Sequence, residues 1–125
     1  MTMSSATVLR KVNEILCSRA SSKLGTITYI SLAQSAGLNT NCFFREWLKP
    51  IIEALAQLDE IAQRNDTPRL SALVVDAGTE SPGSGYWRSA TFPMPVASAQ
   101  WQKELHQTEV ATVLQYFSKP DRRRA

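Results

Sequence analysis

Thr26-Ile27-Thr28-Tyr29-Ile30-Ser31-Leu32-Ala33-Gln34-Ser35-Ala36-Gly37 packs a strand signal, a capped helix and a turn into one short stretch. Thr26 to Tyr29 is a β-prone run, because β-branched and aromatic side chains suit a pleated surface. Thr28 can also cap a second helix, about Tyr29 to Ala36, that stops at Gly37. Asn39, Thr40 and Asn41 then offer N-cap side chains for a third helix containing Cys42, Phe43, Phe44, Trp47 and Leu48. Pro50 lacks an N–H and clashes with the preceding turn, so a kink or a new helix is expected there. Ile51, Ile52, Leu55, Leu58 and Ile61 continue an apolar stripe to about Arg64.

Upstream, Ser5 to Ser21 reads as a first helix. Val8, Leu9, Val12, Ile15 and Leu16 recur at spacings of three and four. Arg19 falls on that stripe near the helix end, where a long side chain can reach water. The helix should stop by Gly25. Downstream, Asn65 to Pro68 is a loop, and Leu70 to Val75 reads as a buried strand. Asp76 to Gly85 is turn-rich, and Tyr86 to Thr91 can return as the antiparallel partner. Ser98 can cap a last helix, about Ala99 to Phe117, with Leu105, Val110, Val113, Leu114, Tyr116 and Phe117 on its apolar side. Ser118 to Ala125 reads as a basic tail. Residues 1–117 are thus expected to form one α+β domain, with 118–125 beyond it.

The order helix, short strand, helix, helix, two-stranded hairpin resembles that of the winged-helix superfamily. Tyr29-x-x-Leu32-Ala33-x-x-x-Gly37 looks like its helix-turn-helix core, in which a small Ala lets two helices cross closely and Gly makes the turn. Pro68-x-Leu70-Ser71-Ala72-Leu73-Val74-Val75 followed by Pro82-Gly83-x-Gly85-Tyr86 is similar to the hairpin of uncharacterised bacterial winged-helix proteins. Trp101-x-x-x-Leu105 resembles their last segment. The resemblance spans about Ile27 to Phe117 and implies a winged helix with an additional C-terminal helix. Pro50 departs from it, because a continuous third helix belongs there.

Charge is unevenly spread. Residues 1–50 carry six Lys/Arg and two Asp/Glu, residues 51–97 carry three and six, and residues 98–125 carry five and three. Arg122, Arg123 and Arg124 by themselves match the net +3, so the body is close to neutral. That is a weaker footprint than a dedicated DNA binder shows, although the basic N-terminal part is compatible with one anion-facing surface.

These observations yield two candidate surfaces. Asn39, Thr40, Asn41, Arg45 and Lys49, on or before the third helix, suit base edges and phosphates of duplex DNA, with Arg10, Lys11 and Lys23 adding phosphate contacts. An ordinary core helix burying Phe43, Phe44, Trp47 and Leu48 fits the same residues, and one helix can do both. Around the hairpin, Asp76 and Glu80 would repel a phosphate backbone, so this edge suits a protein partner or a homodimer better. Tyr86 and Trp87 alternate across their strand, so one should face the core and the other either anchors an interface or lies under the last helix. The Pro82 to Gly85 loop feeds a strand rather than a helix, which argues against phosphate cradling.

Catalysis is not expected. Cys17, Cys42 and His106 lack metal-ligand spacing, both cysteines fall in helix-like apolar surroundings, and no cofactor motif is visible. Asp59-Glu60 reads as a solvated helix face. No apolar stretch of about 18 residues suggests a membrane span, and Met1 to Ala6 does not look like a secretory signal. A cytoplasmic protein is the expectation.

Overall fold

The computed structural model describes residues 4–82 and 99–118, with side chains described for 4–82 and 102–118. It is α+β, mostly helical with a small parallel sheet. Among the described residues, four helices, α1 (Ser5–Ser21), α2 (Tyr29–Ser35), α3 (Phe44–Asn65) and α4 (Ala99–Phe117), accompany two short strands, β1 (Ile27–Thr28) and β2 (Val74–Val75). A 3-10 turn, Leu70–Leu73, leads into β2.

Helix α1 follows its periodicity. Ser4 caps it by accepting from the Thr7 N–H, and Val8, Val12, Leu16 and Ala20 line its buried face. It ends at Ser21, before Gly25 as expected. Lys23 takes the left-handed conformation, at φ 56°. The Leu24 N–H reaches back to the Arg19 carbonyl and the Lys23 N–H to that of Ala20, the paired bonds of a Schellman stop. Arg19 is half-buried at that end. Its Nη2 donates to the Leu24 and Thr26 carbonyls (3.3 and 2.7 Å) and its Nε to that of Gly25 (3.2 Å), clamping the loop that delivers the chain to β1.

The chain then turns directly into α2. The Thr28 Oγ1 accepts from the Ser31 N–H at 3.2 Å, as an N-cap should. Gly37, at φ 89°, closes the helix with a second Schellman pair, Leu38 N–H to Ala33 and Gly37 N–H to Gln34.

Three expectations need correction in the next segments. The third helix starts at Phe44, not among Asn39 to Asn41, and no side chain caps it. The polar groups that could cap are engaged in the turn. Asn39 Oδ1 accepts from the Asn41 N–H (2.9 Å) and Thr40 Oγ1 accepts from Gln34 Nε2 (3.2 Å). Cys42 consequently lies outside any helix and is exposed. Pro50 does not split the helix, which runs through it to Asn65. Proline's fixed φ is compatible with helix, so the cost falls on the Glu46 carbonyl, four residues earlier, which loses its usual donor.

Leu70 to Val75 is fully buried, as expected, but only its last two residues are strand. A tertiary pull accounts for the rest. Arg69 Nη2 donates to Asp59 Oδ2 at 2.8 Å and Ser71 Oγ to Asp59 Oδ1 at 2.6 Å, which draws this segment onto α3. An apolar run alone does not distinguish a buried turn from a buried strand. Asp59 is therefore not part of a solvated face. β2 pairs in parallel with β1, Ile27 opposite Val74 and Thr28 opposite Val75. The expected antiparallel partner, Tyr86 to Thr91, and the Ser98 cap lie outside the described residues.

The core gathers Val12 and Leu16 of α1, Leu32 of α2, Ile51 and Leu55 of α3, Leu73 of the 3-10 turn and Val113 of α4. His106 joins it, with Nε2 2.7 Å from the Ala72 carbonyl oxygen, and so ties α4 to the 3-10 turn. No described helix is long and apolar enough to cross a membrane.

Candidate functional site

Helix α3 carries one apolar face along its length, and that face meets two different fates. Ile51, Leu55, Leu58 and Ala62 are buried. Phe44 lies eleven residues before Leu55, about three turns, and so points the same way. Yet Phe44 is 58% exposed and Leu55 7%. Phe43, just before the helix, is 82% exposed, and Ile52, eight residues beyond Phe44, is exposed as well. Phe43 and Phe44 are thus not core residues, against one of the two expectations for this segment. Trp47, by contrast, packs against the core, and Leu48 is half-buried.

The expected DNA-contacting residues surround this apolar end. Asn39, Asn41, Arg45 and Lys49 are exposed, and Thr40 is half-buried. Thr40, Asn41, Cys42, Phe43 and Glu46 line one shallow hollow at the helix start. Arg45 and Lys49 sit on the same helix as exposed Glu46 and Glu53, so its exposed charges balance. Arg10 and Lys11 lie on α1, where Arg10 is 3.6 Å from Glu14. Lys23 lies beyond the far end of α1, thirteen residues from Arg10 and roughly 20 Å along the helix. These cations therefore do not crowd into a single patch.

Asp76 and Glu80 form the second surface. The Asp76 Oδ1 accepts from the Gly78 N–H (2.8 Å), and the Glu80 N–H donates to the Asp76 carbonyl (2.7 Å). Glu80 takes φ 55°, which turns the chain back sharply. Both carboxylates border a cleft of about 430 Å³ at the ends of β1 and β2. Thr26, Thr28, Val75, Gln107 and Val110 line it, with His106 at its floor. Sequence reading separated His106 from the acidic loop, because the two meet only through the packing of α4 on the 3-10 turn. Tyr86 and Trp87, the expected aromatic anchors, lie outside the described residues.

Both thiols are held above their ordinary range. Burial pushes the Cys17 thiol up. Local desolvation, then a hydrogen bond to Glu46 and its negative charge, push the Cys42 thiol up as well. Each effect disfavours the reactive thiolate. Among the described residues, no group of three or more His, Cys, Asp or Glu side chains could hold a metal. No known protein family, curated protein or solved structure matches this chain.

Proposed function

We propose that this chain is a protein-interaction module on a winged-helix scaffold, docking through the N-terminal end of α3. The scaffold reading draws on the element order, on the Gly37 turn between α2 and α3, and on the buried segment that ends in β2. The function reading rests on one observation. Phe43 and Phe44 stand in solvent on the edge where α3's core-facing side runs past the core. The balance of Arg45 and Lys49 by Glu46 and Glu53 leaves little net charge to hold a phosphate backbone, whose neutralisation dominates DNA affinity. An aromatic pair offers what a protein hot spot needs. The cytoplasm, where Cys17 and Cys42 would stay as the free thiols seen here, suits this role.

The test compares tagged wild type with the Phe43→Ser/Phe44→Ser double variant, each retrieved from its host under native conditions. Both residues are exposed, so thermal stability should change little. A partner held by wild type and lost by the variant, with binding reproduced from purified components, is the expected result. Identical retrieved sets would overturn the reading.

Duplex DNA remains the second reading, because Asn39, Asn41, Arg45 and Lys49 are all exposed where a recognition helix would present them. Titration of random duplex against salt separates the two. Binding at low salt that weakens steeply with salt and with Arg45→Ala favours DNA. No binding at low salt removes it.

A further inference from the structure

We infer that the α3 helices of two copies of this chain pack antiparallel across a two-fold axis. The inference names a partner for the docking end proposed above and rests on that reading. It starts from a row of side chains. Phe44, Leu48, Ile52 and Ala56 follow one another at intervals of four, so they stand along one side of α3. Leu48 is half-buried and the other three are exposed, Ile52 at 48%. Lys49 and Glu53, both exposed, flank that row. Neither is engaged in an ion pair within the described residues.

The row is complementary to itself read backwards. Ridges at intervals of four interdigitate in the commonest packing of helices, with axes crossing at about 50°. Run antiparallel about a point between Leu48 and Ile52, Leu48 of each copy meets Ile52 of the other, and Phe44 meets Ala56. The largest side chain of the row thus falls opposite the smallest. Charge follows the same reversal. Lys49 of each copy comes level with Glu53 of the other, twice over by symmetry, and Arg45 lies toward Glu60. A parallel pair in register would instead set Lys49 against Lys49 and Glu53 against Glu53. Glu46 stays out of the contact. At about 100° per residue it stands roughly 120° or more around the helix from Phe44, Leu48 and Ile52, and it shares the hollow at the helix start with Cys42 and Phe43.

Each copy offers the same patch, so the contact closes at two chains. One helix pair touching between Phe44 and Ala56 buries less than the roughly 1,200 Å² of a stable interface. A dissociation constant of about 10 µM to 1 mM is expected, with further weakening by salt as the exposed ion pairs are screened.

Sedimentation equilibrium of the full chain over that concentration range is the experiment. Wild type should rise in average mass above 13.9 kDa and level at two chains. Ile52→Glu should stay monomeric. Lys49→Glu and Glu53→Lys each set like charges across both symmetric contacts, so each should weaken the dimer about tenfold or more. An equimolar mixture of these two variants restores opposite charges at both contacts and should associate about as tightly as wild type. The double variant Lys49→Glu/Glu53→Lys should do the same. The charge variants keep the test valid if Ile52→Glu folds poorly, and far-UV circular dichroism checks each fold. Wild type that remains monomeric at 1 mM would overturn the inference. So would a dimer indifferent to both charge variants, or a mixture that associates no more tightly than its components. Each of these results leaves the broader docking reading to the retrieval experiment, which scores partners of any identity.

Discussion

Replacing Asp59 by Ala should be among the most costly single changes available in this chain. Asp59 and Arg69 are 2.8 Å apart with side chains 10% and 15% exposed, and the Ser71 hydroxyl donates to the second carboxylate oxygen at 2.6 Å. Removing one partner of a buried pair strands the other charge, which costs about 3–5 kcal/mol. The lost hydrogen bond from Ser71 to a charged acceptor, about 1.5–3 kcal/mol by itself, overlaps with that figure and is not added. A urea slope of about 2 kcal/mol per molar is reasonable for this size, so the unfolding midpoint should fall by about 2 M. Total stability for such a domain is only about 5–15 kcal/mol, so a gentler change is needed beside it. Asp59→Asn keeps the shape and an acceptor for Ser71, and should lose less than Asp59→Ala. The pair Arg10 and Glu14 supplies an internal contrast. It spans 3.6 Å with side chains 64% and 63% exposed, so Glu14→Ala should cost about 0.5 kcal/mol or less. The assay is urea unfolding followed by far-UV circular dichroism for all three variants. If Asp59→Ala costs no more than Glu14→Ala, the claim that this network folds the 3-10 turn onto α3 is refuted.

Other perturbations probe separate parts of the argument. Leu55→Ala should cost about 2–5 kcal/mol and Phe44→Ala less than about 0.5, although both sit on one helix face; chemical denaturation should separate them. Lys23→Gly relieves a left-handed conformation that disfavours a side chain, so it should stabilise by up to about 1 kcal/mol, visible as a higher melting temperature. Pro50→Ala restores the donor to the Glu46 carbonyl and removes a penalty of about 3 kcal/mol for proline within a helix, part of which is offset by a freer unfolded chain; a net rise of several degrees in melting temperature is expected, and a fall would show that Pro50 holds a needed geometry. Glu46→Gln removes a negative charge that raises the Cys42 thiol, so the pH midpoint of Cys42 alkylation should move down and labelling near pH 8 should quicken.

What the sequence disclosed was whatever local signals control. Helix α1 runs Ser5–Ser21 as its periodicity requires, α4 runs Ala99–Phe117, and Thr28 and Gly37 bracket α2 through a side-chain cap and a positive φ. The errors arose where distant groups decide. The Asp59 carboxylate, ten or more residues away in sequence, turns Leu70–Leu73 into a 3-10 turn. The Asn39 and Thr40 side chains, good caps by type, are occupied within the turn, so α3 begins later. The candidate site was half legible. Asn39, Asn41, Arg45 and Lys49 are exposed, but their neutral setting and the exposure of Phe43 and Phe44 depend on where the neighbouring elements stop.

That last dependence follows from helix lengths. At 1.5 Å per residue, the 22 residues of α3 span roughly 33 Å, the 17 of α1 roughly 25 Å and the 7 of α2 roughly 10 Å. A longer helix packed on shorter ones must overhang somewhere. Burial locates the overhang, because Ala62 near the C-terminal end of α3 is covered while Phe44, Arg45 and Glu46 at the start are not. Periodicity reports the direction of a helix face but carries no information about the reach of the partners that cover it. The same apolar pattern therefore builds a core over Ile51 to Ala62 and leaves Phe44 exposed. A helix grown to fit only this core would have had polar residues in its first turn. Phe43 and Phe44 at that end stand outside the core.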